Sequence, residues 1–90
     1  MTTLSQQLRE AGEKATPGAW RKAKDGDDIA IIGKPTWPCK RFGKAGEWDV
    51  ATVTDMPKAG EQRANAALIV LLRNNLDTII AALEAQEAGK

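Results

Sequence analysis

The chain has 90 residues, a formal charge of +1, one cysteine and no histidine. That length makes one domain, 1–90, with a thin core, and the near-neutral charge gives no whole-chain case for nucleic acid or an anionic membrane. Without histidine there are no Ser-His or Cys-His nucleophile pairs, no imidazole acid–base work and no use of the commonest metal ligand, and the lone Cys39 excludes an intrachain disulfide and the usual zinc sites.

The polar stretch 1–14 lacks the apolar segment of a secretory signal. The longest strictly apolar run, 66–72, is far short of the ~20 residues of a membrane span. A soluble protein of a reducing cytoplasm is expected, with no membrane contact.

Thr3-Leu4-Ser5-Gln6 has the form of a capping box, and Leu4, Leu8 and Ala11 follow at i, i+4 and i+7. The spacing predicts a short helix over 4–14, or else a frayed arm, since short isolated helices are marginal. Thr16-Pro17-Gly18 is a turn signal. Residues 19–24 read as a strand with Trp20 inward, Asp25-Gly26 as a hairpin turn, and 29–32 as the return strand closed by Gly33. Two prolines and two glycines make 34–46 an irregular exposed loop. Residues 47–54 alternate as a third strand, antiparallel to the second, and Trp48 joins Trp20 as core. The predicted sheet therefore spans 19–54.

From Glu61 onward no proline or glycine occurs until Gly89, and Ile69, Leu72, Leu76, Ile79 and Leu83 are spaced 3, 4, 3 and 4 apart. A continuous helix over 61–88 would be ~42 Å long, against a radius of gyration of only ~12 Å for a globule of this size. Either it breaks at Arg73-Asn74-Asn75, with Asp77 in the first turn of a second helix, or its far half is buried by another chain. The second alternative makes Leu72, Leu76, Ile79, Ile80 and Leu83 an oligomer seam and the protein a homodimer. The fold class is α+β: a short helix, a small three-stranded antiparallel sheet, and a long or broken amphipathic helix on one face.

No catalytic, cofactor-binding or metal-binding set emerges. Asp25, Asp27 and Asp28 lack the distal glutamate of a calcium loop and read as a solvated turn. The suggestive stretch is 34–44, where Trp37 and Phe42 are interleaved with Lys34, Lys40, Arg41 and Lys44 and no acid. Aromatic and basic side chains together serve a protein hot spot, or single-stranded nucleic acid through stacking and phosphate contact. The alternative is that both aromatics fold back onto the sheet. Self-assembly into a structural or small-ligand-binding oligomer is a further expectation.

Ala15-Thr16-Pro17-Gly18-Ala19-Trp20 resembles the A-T-P-G-P-W opening of small phage and prophage proteins in the Ead-like group. Asn65-Ala66-Ala67-Leu68-Ile69 through Arg73 is similar to that group's closing N/D-A-x-F/L-I pattern, with the strand 50–53 between. The likeness covers 15–24 and 48–84 and leaves out 34–46. Where the group often has proline, this chain has Asp77. The resemblance implies a phage origin, action inside a bacterial host and a non-enzymatic accessory role. Such a role means binding a host or phage protein, components of host defence included. It brings no catalytic residues.

Overall fold

The computed structural model describes residues 2–89. In chain order it has α1 (Leu4–Lys14), β1 (Arg21–Asp25), β2 (Asp28–Gly33), β3 (Lys40–Arg41), β4 (Lys44–Ala45), β5 (Trp48–Val53), α2 (Glu61–Asn74) and α3 (Leu76–Ala88). The architecture is α+β. A three-stranded antiparallel sheet runs β1-β2-β5, and β3 pairs with β4 as a separate ribbon.

α1 is a docked helix, not an arm. Thr3 and Gln6 close the capping box, with Thr3 Oγ1 accepting from the Gln6 N–H at 3.2 Å and Gln6 Oε1 from the Thr3 N–H at 3.0 Å. The buried Ser5 hydroxyl then donates to the Glu87 carboxylate, and Arg9 pairs with Glu84, so α1 lies along α3. Gly12 permits the close approach. A Cβ there would sit 2.7 Å from Leu76 Cδ2.

The first hairpin turns one residue later than the Asp-Gly pair suggests. Asp25 pairs with Asp28, so the two-residue turn is Gly26-Asp27, with Gly26 at φ +62°. Glycine first is the order of a type II′ hairpin. Trp20 stands just before β1. Its main chain is instead held by the Asn74 side chain, whose Oδ1 accepts from the Trp20 N–H at 2.8 Å while its Nδ2 donates to the Trp20 carbonyl at 2.9 Å. The amide thus extends the β1 ladder by one rung, at about 1 kcal/mol per bond. Trp20 Nε1 donates to the Thr16 carbonyl, and the Arg73 guanidinium lies 5.2 Å above the ring.

β2 is central and buried on both faces. Ile31 joins Val53 and Ala66 in the core cluster, with Trp20, Ile29, Val50, Ala51, Ile69 and Val70 packed around them. α2 therefore covers that face. By alternation Ala30 and Ile32, both fully buried, point the other way. The same opposite face carries Arg21 and Asp25 of β1 and Asp49 of β5, since Arg21 and Asp49 pair with Ile32.

Trp48, expected in the core, is instead 43% exposed. It opens the outer strand β5 opposite Gly33, at the end of the sheet, and a β-bulge follows it. Ile31 pairs with Ala51 but Ile32 with Asp49, which leaves Val50 unpaired. The extra residue lets the neighbours Val50 and Ala51 both reach the core, so strict alternation fails upstream of it. The segment 34–46 also departs from expectation, because β3 and β4 make a small hairpin inside it.

The helix predicted over 61–88 breaks at Asn75, and α3 leaves α2 at 65°. Asn75 acts as a terminator of α2 and not as a side-chain cap of α3. Its Nδ2 donates back to the Leu71 carbonyl at 2.9 Å. Asp77 sits in the first turn of α3. Within α3, Ile80 is buried and Leu76, Ile79 and Leu83 are half-buried along the helix that receives α1, whereas Leu72 on α2 is exposed. Among the described residues no single helix is long and apolar enough to cross a membrane.

Gly33 is the tightest point of the sheet. A Cβ there would lie 2.9 Å from Thr16 Cγ2, 2.9 Å from Val50 Cγ1 and 3.2 Å from Trp20 Cδ1. None of these is the end of a long flexible side chain, so relief requires backbone movement. Gly33→Ala is expected to lower stability by about 1–3 kcal/mol through overpacking. Urea denaturation measures this, and an unchanged midpoint would show that the Thr16–Val50–Trp20 contact is loose.

Candidate partner-binding surface

The segment 34–46 is shaped by Arg41. Its Nε donates to Asp49 Oδ1 at 2.7 Å, and its Nη2 donates to Asp25 Oδ2 at 2.8 Å and to Asp49 Oδ2 at 3.1 Å. Asp25 and Asp49 stand on the two outer strands, so the guanidinium spans β2 on the face opposite α2. These partners hold the Arg41 pKa above its ordinary value, the hydrogen bond to Asp49 contributing most. Of the six residues singled out in 34–44, Arg41 is therefore the one committed internally. Asp25 is its partner, not part of a purely solvated turn.

β3 and β4 turn back through Phe42-Gly43, with φ +51° and +77°. Two left-handed residues in a two-residue hairpin are the signature of a type I′ turn, which favours Asn-Gly. Phenylalanine is poorly suited to that conformation, which costs an ordinary residue roughly 1–2 kcal/mol. It is the only non-glycine residue with positive φ among the described residues. The strain holds the Phe42 ring at the hairpin tip, exposed, with the Arg41 guanidinium 4.2 Å from the ring centroid.

Trp37 does not fold back into the core. It is 51% exposed and meets Trp48 edge to face, with ring centroids 5.8 Å apart and planes at 62°. Trp48, at the start of the outer strand β5, is the floor on which Trp37 rests. Alternation alone hid Trp48's part in this surface.

Glu47 fixes the basic groups around the pair. Its carboxylate, nearly buried, accepts from Arg21 Nη2 at 2.8 Å and from Arg21 Nε at 3.2 Å. The Arg21 hydrogen bonds hold the Glu47 carboxyl below its ordinary range against the opposing effect of burial, and the charges of Arg21, Lys44 and Lys34 lower it further. Lys34 and Lys44, ten residues apart in sequence, therefore converge on one carboxylate beside Trp48. Lys34, Lys40 and Lys44 are exposed, and none forms an ion pair among the described residues. The 34–46 segment and its neighbour Trp48 thus expose a tryptophan pair, a phenylalanine and three lysines.

The lowered Glu47 pKa fixes the sign of a pH effect. A carboxyl whose folded value lies below its ordinary 4.5 adds stability that is fully present above pH 4.5 and fades as pH falls through the folded value. Glu47→Gln is expected to be less stable than the parent at neutral pH, with the difference shrinking below pH 4.5. Urea titrations at several pH values check this. A pH-independent difference would contradict it.

No family model, curated protein or solved structure matches the chain. What this surface can do follows from its own chemistry.

Proposed function

We propose that this protein is a non-enzymatic binding protein of the phage accessory kind, acting inside a bacterial host by docking a host or phage protein on the Trp37–Trp48 surface. A component of host defence is among the partners this reading admits. The observation that carries it is the exposed tryptophan pair, together with an exposed phenylalanine kept in a strained turn of the same 34–46 segment as Trp37. Aromatic side chains anchor protein interfaces because each buries a large rigid area at small entropic cost. Backbone strain that a commoner turn residue would relieve points to a role for the side chain itself. The three lysines suit a rim facing acidic groups on the partner. The short motifs at 15–20 and 65–73 support the phage assignment, and they resemble Ead-like proteins at the positions quoted above.

The test is affinity capture from bacterial lysate, followed by titration of the captured protein. Trp37→Ala and Trp48→Ala are each expected to weaken binding by about tenfold or more, the loss typical of a hot-spot truncation. Phe42→Asn supplies the preferred I′ residue and loses a cation–π contact of about 0.5–1 kcal/mol. It is expected to leave stability within about 1 kcal/mol of the parent while weakening binding. Identical captured partners for the Trp37→Ala/Trp48→Ala double variant would overturn the surface. A gel shift with single-stranded DNA at low salt, lost in the same variant, would replace the protein partner with nucleic acid.

A further inference from the structure

α2 is apolar on two sides. Gln62, Ala66, Ile69, Val70 and Arg73 face the sheet and the Thr16–Trp20 segment. At 100° per residue, Ala64, Leu68, Leu71, Leu72 and Asn75 form a second stripe roughly opposite. Leu68 is 55% exposed, Leu71 61% and Leu72 48%, and no charged residue stands among these three. Since α3 turns away by 65° at Asn75, it does not cover them.

We propose that this stripe is the seam of a homodimer, in which α2 packs antiparallel on α2 of a second copy. The chain as a whole, the α2 leucines included, exposes more surface than a compact monomer of its mass. The chain exposes 6437 Å², whereas a folded monomer of 9.7 kDa exposes ~5100 Å². The excess, roughly 1300 Å², exceeds the ~800 Å² that each partner contributes to a standard interface. The radius of gyration of 15.4 Å likewise exceeds the ~12 Å of a compact chain of this length.

The chemistry of the stripe favours a second copy as the occupant. Around a two-fold axis every group meets its own equivalent or a symmetry mate, so a charge near the axis would face a like charge. Glu61, seven residues before Leu68, is in line with the stripe but lies ~13 Å along the helix from its centre, and no charge stands among the central leucines. With the axis between Ile69 and Val70, Leu68 of one copy meets Leu71 of the other, and Ala64 meets Asn75. The small and polar ends then flank a leucine centre, and the helix dipoles run antiparallel. A formal charge of +1 per chain adds little repulsion. This seam lies on α2 and differs from the α3 positions Leu76, Ile79, Ile80 and Leu83, which lie along the helix that α1 packs on.

Sedimentation equilibrium on the full chain at 1–100 μM tests the proposal. The expected mass is twice 9.7 kDa. Leu71→Glu is expected to weaken self-association by about a hundredfold or more, with the helical circular dichroism retained, because it sets two carboxylates close to the axis. Adding Leu68→Lys to it places a lysine opposite each glutamate and is expected to restore the dimer. A monomer for the parent at 100 μM would overturn the proposal, as would an undiminished dimer for Leu71→Glu. Hydrogen exchange of the unmutated chain decides independently of whether the variant folds. Protection of 64–75 should rise with concentration, and concentration-independent exchange there would count against the seam.

Discussion

β2 has to be covered twice. Four consecutive residues, Ala30 to Gly33, are buried, and alternation sends them to both faces of a sheet only three strands wide. Antiparallel sheets of this size often leave one face to water, and then their central strand alternates apolar with polar. Here the Ile-Ala-Ile-Ile run makes that impossible. α2 supplies one cover by ordinary apolar packing. The other is a short hairpin tied down by one guanidinium bound to carboxylates of both outer strands. An arginine suits this place because its planar fork satisfies two acids at once while its aliphatic stem lies on apolar surface.

The surface on the 34–46 segment follows from that cover. A hairpin tied through Arg41 must turn within Phe42-Gly43, and a turn so short requires two left-handed residues. The sheet would be covered equally well with asparagine at that position. Phenylalanine adds nothing to the fold beyond its contact with Arg41, and it exposes a ring at the tip. Trp37 and Trp48 are in the same position, since each shields the other only in part while the core cluster closes without them. Three of the chain's four aromatic residues are thus spent outside its small core, and only Trp20 packs against it.

The helices and the three main strands were legible because each rests on local chemistry: the Thr3–Gln6 box, the apolar run 29–32 after the Asp-Gly pair, the alternation of 47–54, and the unbroken run after Glu61. The helix break at Asn74-Asn75 was legible too, but for an incomplete reason. Asn75 ends α2 by turning its amide back to the Leu71 carbonyl, while Asn74 binds the Trp20 backbone, a partner 54 residues away that no local pattern reveals. The bulge at Val50 escaped because one unpaired residue changes no composition or spacing, and the exposure of Trp48 escaped because alternation does not show that it opens an edge strand. The β3–β4 hairpin escaped because its turn uses Phe-Gly in place of the expected Asn-Gly. The basic residues of 34–44 were found from sequence, but only the Asp25–Arg41–Asp49 geometry separates the structural cation from the three exposed lysines.

A chain of this size cannot bury both apolar sides of α2. Six hydrophobic residues among the described residues are buried, and they include only one from each of α2 and α3. Lengthening the sheet would cover more of α2's inner side but not Leu68, Leu71 and Leu72, which face away from it. Pairing two helices solves this with no additional chain, and the geometry has a consequence for binding. The Arg41 hairpin lies on the sheet face opposite α2, so a dimer joined through α2 carries its two hairpins on its outer sides. Each would remain open, and an oligomeric partner would be met by two linked surfaces, which raises avidity without any new contact.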